Sequence, residues 1–259
     1  MLLVLDIGNT NIVVGVFDGD SLTGHWRLSS SDRTSDEAGI LLRSLVFREG
    51  LSDAVDGAIL SSVVPRLEEV WYEAICAYLG VRPVVVSRHI DLGLDVDTDN
   101  PDEVGSDRLV NSVAAMTKYG RPIITVDLGT AITLDVVSAA GSYIGGAIAP
   151  GLAVSMETLF SRAAKLPQIA LTAPDRYIGR STVSAVQSGI VNGYTGLVDS
   201  LVEGIFSELG ARTPVIATGG HAEILANQSK TITHIEPWLT LDGLLIIYKR
   251  GVGKNRHEG

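Results

Sequence analysis

Two carboxylates, Asp6 and Asp127, close apolar runs and are each followed by a turn suited to gripping a phosphate chain and its cation. The first segment reads Val4-Leu5-Asp6-Ile7-Gly8-Asn9-Thr10 and the second Thr125-Val126-Asp127-Leu128-Gly129-Thr130. Each offers one acid, backbone N–H groups and small hydroxyl or amide side chains. Gly8 and Gly129 are expected to turn the backbone with φ > 0 and to let it approach a phosphate without a Cβ in the way. A lone Asp-x-Gly turn is an ordinary hairpin. Here the offset between the acids equals the offset between the glycines, which points to a duplicated grip. One turn per half, facing its counterpart across a cleft, would hold one nucleotide.

A third candidate is Gly105-Ser106-Asp107-Arg108, where the pattern predicts a helix start near Ser106 or Asp107. Its structural reading makes Ser106 an N-cap and lets Asp107 complement the helix dipole. Its chemical reading sets a carboxylate beside a guanidinium. Asp107 then accepts a proton from a hydroxyl while Arg108 holds an anionic part of the substrate. A fourth is Thr218-Gly219-Gly220 after the apolar strand Val215–Ala217, small enough for a flat purine to lie against the backbone. Gly145-Gly146 and Ala149-Pro150-Gly151 lead into a predicted helix, Leu152–Ala164, whose N-terminus suits phosphate. The chain has no Gly-x-x-x-x-Gly-Lys-Ser/Thr loop, no Gly-x-Gly-x-x-Gly after a strand and no protein-kinase catalytic loop. Ser155 and Ser184 lack the elbow of a hydrolase nucleophile. The five histidines, His25, His89, His221, His234 and His257, have no metal-ligand spacing.

The elements that must position these residues form two similar sets. Leu2–Asp6, Ile12–Phe17 and Leu22–Leu28 read as three successive strands, the last pair joined by Asp18-Gly19-Asp20. Ile123–Asp127, Ile132–Val137 and Tyr143–Ile148 repeat the plan around Ala140-Gly141. Ala58–Val63 and Val81–Val86 read as buried parallel strands, apolar on both faces. Helical periodicity marks Glu37–Val46 and Arg66–Leu79. Asp91–Val104 reads as a loop. Thr182–Leu209 is either one helix about 42 Å long or two with a break, because Gly189, Gly193, Gly196 and Gly204 fall inside it. The unbroken form would give a small-residue face for a second helix, including one from another subunit. An apolar helix over Leu241–Tyr248 ends the pattern, with frayed residues from about Gly251. Alternating strands and helices make the class α/β. The duplication sets two domains, 1–118 and 119–259.

Composition narrows the partners. A net charge of −10 argues against nucleic acid, which needs a basic face. No stretch approaches the ~18 apolar residues of a membrane span, and the opening run Met1–Leu5 is too short for a secretion signal. A single cysteine, Cys76, permits no internal disulfide and reads as part of a helix core. The expectation is a soluble cytoplasmic protein.

Taken in order, these segments resemble the actin, Hsp70 and sugar-kinase superfamily and, within it, type III pantothenate kinase. Asp6-Ile7-Gly8-Asn9-Thr10 looks like the first phosphate motif, Asn100-Pro101 through Arg108 like the pantothenate motif, and Asp127-Leu128-Gly129-Thr130-Ala131 like the second phosphate motif. Gly145-Gly146-x-x-x-Pro150-Gly151, Gly179-Arg180-Ser181-Thr182 and Thr218-Gly219-Gly220 follow in the family's order. The resemblance implies two RNase H-like domains around a central nucleotide cleft and ATP-dependent phosphorylation of pantothenate at its primary hydroxyl, the first step of coenzyme A synthesis. It makes Asp107 the proton acceptor and gives pantothenate to Gly105, Ser106, Asp107 and Arg108, with Thr182 reaching it from the partner of a homodimer. It gives ATP to Asp6, Ile7, Gly8, Asn9, Thr10, Asn11, Ile12, Val13, Thr130 and the Gly219-Gly220 turn. Asp127 would ligate K⁺ or NH₄⁺, and Asp6 would hold the Mg²⁺ of ATP through water. Thr98 departs from the pattern, standing where relatives often carry Tyr. The alternatives are a kinase of another small hydroxy acid or sugar, and a nucleotide-gated regulatory or binding protein on the same scaffold.

Overall fold

The computed structural model describes residues 1–48, 50, 55–163 and 169–255. It divides into two compact units, Met1–Ala114 with Leu239–Gly259, and Ala115–Trp238.

In the first unit, β1 (Leu2–Ile7), β2 (Asn11–Asp18) and β3 (Ser21–Ser29) form an antiparallel meander, and β4 (Gly57–Ser62) and β5 (Val84–Val85) add on in parallel. The sheet order is β3-β2-β1-β4-β5. Leu3, Leu5 and Ile7 of β1 and Ile12, Val14 and Val16 of β2 share one face and pack on α1 (Ser35–Arg48) and α2 (Pro65–Leu79), around a fully buried Trp71. Thr34 and Glu37 start α1 with reciprocal bonds: the Thr34 amide donates to Glu37 Oε2 at 2.8 Å, and the Glu37 amide to Thr34 Oγ1 at 3.2 Å. Pro65 opens α2, and Gly80 closes it at φ 69°. After the short strand β6 (Asp95–Val96) and a 3₁₀ turn at Pro101–Glu103 comes α3 (Ser106–Tyr119), inside which the boundary between units falls.

The second unit repeats the order. Its meander is β7 (Ile123–Leu128), β8 (Ala131–Val137) and β9 (Ser142–Pro150), followed by α4 (Leu152–Arg162) and α5 (Thr182–Leu209). The strand β10 (Val215–Thr218), the short helix α6 (Ala222–Ala226) and β11 (His234–Ile235) complete it, in the order β11-β10-β7-β8-β9. Ile124, Val126 and Leu128 pack with Ile132, Leu134 and Val136 against Val191, Val198, Val202 and Phe206 of α5. The α/β class and the duplicated meander are therefore as expected. Among the described residues, no helix is long and apolar enough to cross a membrane.

Several details differ from expectation. The last helix, α7 (Leu239–Asn255), is longer at both ends than Leu241–Tyr248 and stays helical through Gly251. It belongs to the first unit, whereas the duplication set it with 119–259. A Cβ on Gly15 would lie 2.9 Å from Leu241 Cδ1, and one on Gly243 would run into the Val110 carbonyl oxygen and lie 2.6 Å from its Cγ1, so α7 needs glycine on both sides of its seat. Val81–Val86 contributes only two strand residues, and Val84 is 38% exposed, so it is not buried on both faces. α4 ends at Arg162, and the predicted end at Ala164 lies outside the described residues.

The open alternative at Thr182–Leu209 resolves to one 28-residue helix. Ser181 and Ser184 cap it reciprocally, and Gly210 ends it at φ 67°. Among the described residues, nothing outside the helix's own nearby backbone lies within 4 Å of a Cβ placed on Gly189, Gly193, Gly196 or Gly204.

Candidate active site

The first-unit hairpin places Asp6 one residue before the end of β1, opposite Val13 in β2 and beside Ser61 in β4. Its turn is tied down by main-chain bonds: the Gly8 amide donates to the Asn11 carbonyl at 3.0 Å, and the Val63 amide to the Ile7 carbonyl at 3.1 Å. Ser30 was not foreseen. Its hydroxyl donates to the Gly8 carbonyl at 2.6 Å and its amide to the Thr10 carbonyl at 3.0 Å. The signal available was position, since Ser30 directly follows the strand paired with β2. Asn9 and Thr10 stand exposed at the tip, whereas the side chains of Ile7 and Ile12 are fully buried and leave only main-chain atoms to a ligand. Neither Gly8 nor Gly129 has positive φ, which corrects the expectation for both. What glycine provides at Gly8 is room, since a Cβ there would lie 3.1 Å from the Asn11 carbonyl oxygen.

The Gly105–Arg108 motif joins this hairpin through serines. Ser106 is the first residue of α3 rather than its N-cap. Its Oγ lies 2.9 Å from Ser61 Oγ, accepts from the Ser62 amide at 3.2 Å and is 3.0 Å from the Ser62 carbonyl, docking the start of α3 on the end of β4. Ser61 in turn flanks Asp6. The Asp107 carboxylate accepts from the Arg108 amide at 2.8 Å. A Cβ on Gly105 would stand 2.6 Å from Asp107 Oδ1, so only glycine leaves that oxygen its place. Burial pushes the Asp107 carboxyl above its ordinary range, outweighing the Arg108 amide and guanidinium, which pull it down. A cavity of about 410 Å³ opens beside the motif, lined by Val63, Arg88, His89, Asp102, Gly105 and Ser106 among others. Arg88 and Asp102 pair across two bonds, the second from Nη2 to Oδ2 at 2.9 Å. Thr98 is half-buried and its hydroxyl has no partner.

In the second unit, Asp127 stands opposite Thr133 in β8 and beside Thr218 in β10. The turn is one residue shorter than its counterpart: Gly129–Ala131 separates the paired Leu128 and Ile132, where Gly8–Asn11 separates Ile7 and Ile12. The Gly129 amide donates to the Ala131 carbonyl at 3.1 Å. The Gly151 amide, at the head of α4, donates to the Thr130 carbonyl at 3.0 Å, and the His221 amide to the Leu128 carbonyl at 3.2 Å. Positive φ occurs instead at Gly219, at 92°. A Cβ there would lie 2.5 Å from Asp127 Oδ1 and 2.7 Å from the Leu128 backbone. Gly129 and Gly219 thus flank the Asp127 carboxylate in space that Cβ atoms would take, and the head of α4 is bonded to the same turn at Thr130. Among the described residues, no group of three or more His, Cys, Asp or Glu could hold a metal ion. Thr182 is exposed at the first turn of α5, in a groove with Leu159, Ala185, Val186, Gly189 and Ile190.

Comparison with known proteins gives consistent matches. The family model for type III pantothenate kinase matches residues 2–204. A protein of that name from Pelobacter propionicus is 51% identical over 253 residues, covering 96% of this chain and 99% of its own. Another from Geobacter sulfurreducens is 49% identical over 252 residues, with the same coverage. Among solved structures, the activator of 2-hydroxyisocaproyl-CoA dehydratase from Clostridium difficile, with bound ADPNP, superposes with a TM-score of 0.56 at 12% identity, covering 99% of this chain and 96% of that one. At that identity the likeness is one of fold.

Proposed function

We propose, from the premise that this chain belongs to the type III pantothenate kinase family, that it transfers the γ-phosphoryl group of ATP to the primary hydroxyl of pantothenate, the first step of coenzyme A synthesis. The observation that carries the mechanism is the state of Asp107. Its carboxyl is raised by burial and held by the Arg108 amide at the head of α3, which suits a proton acceptor better than an ordinary surface aspartate does. The ionised carboxylate takes the hydroxyl proton as the new O–P bond forms, and the bond to the ADP oxygen breaks. In a loose transition state most of the catalytic work is alignment and neutralisation of spread charge, so the proton moves late.

Pantothenate lies against Gly105, Ser106 and Arg108, with the guanidinium on its anionic part. ATP is held by the tip and main chain of the hairpin from Asp6 through Ile7, Gly8, Asn9, Thr10, Asn11 and Ile12 to Val13, and by Thr130, Gly219 and Gly220. Asp6 would hold the Mg²⁺ that accompanies ATP through water, because that ion dehydrates reluctantly. Asp127, next to Gly129 and the Gly219 turn and opposite Thr133, would hold a singly charged K⁺ or NH₄⁺. Such an ion supplies positive charge near the phosphates.

The protein works in the cytoplasm as a homodimer. The open glycine face of α5 supports close approach by a second copy, and Thr182 at the head of that helix then reaches the partner's substrate. Coupled ADP release with pantothenate, with and without K⁺, tests the reading, with mass spectrometry of the product. ADP release that needs no pantothenate, or a product lacking a phosphate on it, refutes it.

A further inference from the structure

Beneath Asp127 the second sheet carries a polar ladder that the phosphoryl transfer just described leaves unused. β7 and β8 run antiparallel with Asp127 opposite Thr133 and Thr125 opposite Asp135. Alternation sets these four side chains on one face, away from the face that carries Val126, Leu128, Ile132 and Leu134 into the core. Asp135 and Thr125 are each 1% exposed. Asp135 accepts from the Tyr143 hydroxyl through Oδ1 at 2.8 Å and from the Thr133 hydroxyl through Oδ2 at 3.0 Å.

A hydroxyl has one proton and two lone pairs. The Thr133 proton is committed to Asp135, so Oγ1 presents lone pairs to anything else nearby. Cross-strand neighbours stand about 4.5–5.5 Å apart at Cβ, which sets the Thr133 side chain next to that of Asp127. Two acceptors side by side in a partly buried site favour a positive charge between them. The Thr125 hydroxyl, buried on the same face with no hydrogen-bond partner, is a further oxygen that lacks a donor.

We propose that Thr133 Oγ1 is a ligand of the monovalent cation at Asp127, and that Asp135 and Tyr143 are positioning residues that keep its proton turned away from the ion. The inference rests on the function proposed above, because that reading assigns the cation to Asp127.

Two opposite substitutions test it in the full-length protein. Thr133→Val keeps the shape and loses the oxygen, whereas Thr133→Ser keeps the oxygen and loses the methyl group. Thermal unfolding is followed across a KCl titration, with choline chloride holding ionic strength constant. The wild type is expected to gain stability with K⁺. Thr133→Val is expected to raise the half-saturating K⁺ concentration about 10- to 100-fold, with Thr133→Ser staying close to wild type. Asp135→Asn is expected to shift the midpoint in the same direction as Thr133→Val. The K⁺ dependence of ADP release should follow the same order. A packing role gives the reverse order, with the Val variant normal and the Ser variant impaired, and that result overturns the proposal. If pantothenate is phosphorylated but neither stability nor rate responds to K⁺, the ligand assignment is overturned while the function stands. If no pantothenate is phosphorylated at any K⁺ concentration, the functional reading falls and this inference falls with it.

Discussion

Replacing Gly219 by alanine separates two costs at the turn after β10. The first is conformational: φ is 92°, where a Cβ costs about 1–2 kcal/mol. The second is crowding. The new methyl would lie 2.5 Å from Asp127 Oδ1 and 2.7 Å from the Leu128 backbone. The carboxylate can swing aside, but Leu128 is fixed in β7 and its carbonyl already accepts from the His221 amide. Overpacking of this kind costs about 1–3 kcal/mol. The variant is therefore expected to lose about 2–5 kcal/mol. Gly210→Ala provides the comparison, since it lies in the same unit at φ 67° with nothing among the described residues beyond its chain neighbours within 4 Å of its Cβ. It should show the conformational cost alone, about 1–2 kcal/mol. Urea unfolding followed by circular dichroism gives both values at matched slopes. The KM for ATP should rise only in the Gly219 variant, because Asp127 must move there. Equal losses at the two positions would refute the crowding argument.

Asp107→Asn should lower kcat by about 10²–10⁴-fold with KM for ATP held, the range for loss of a general base. The same variant should unfold at higher urea than the wild type at neutral pH. Burial makes the native state bind the Asp107 proton more tightly than the unfolded state does, so wild-type stability falls as pH rises through the raised pKa, and the gap between the two proteins should widen from pH 4 to pH 7. Asp199→Ala should cost about 2–4 kcal/mol, because that carboxylate accepts from the Ser229 and Thr231 hydroxyls and from the Lys230 and Thr231 amides. Burial works to raise the Asp199 pKa, but these bonds outweigh it and lower it, so the wild-type advantage should shrink as pH falls through the depressed value. On the proposed pairing of two copies through α5, Gly193→Leu should turn the dimer into a monomer in light scattering, and an unchanged oligomeric state would remove that helix face from the interface.

Much of the fold was legible because it depends on patterns that repeat at short range. Apolar runs that stop at Asp-x-Gly and then resume marked both meanders, and the same strand order recurs in each sheet. What could not be read was decided by distant partners. The Leu241–Tyr248 pattern shows an apolar helix without saying which sheet it covers, and its seat is set by Gly15 and Gly57 in the other half of the chain. The signs of φ were misassigned for a related reason. Gly8 and Gly129 sit in strand-like turns closed by main-chain bonds, while the strained position falls at Gly219, where a third strand's turn crosses Asp127. Ser106 looked like a cap because the helix begins there, but its hydroxyl serves Ser61 and Ser62, about 45 residues away. Thr133 and Asp135 alternate as plainly as Asp127 does, and their pairing with it becomes visible only once the hairpin register is known.

The placement of α7 bears on how the chain is made. The first unit is complete only when Leu239 onward has been synthesised, roughly 125 residues after Ala114. At the usual ~5–20 residues per second on the ribosome, β1, β2 and β4 wait on the order of ten seconds with one apolar side uncovered. The intervening unit is contiguous in sequence and is free to fold first. Nascent chains stalled before Leu239 should therefore be the ones that recruit chaperones.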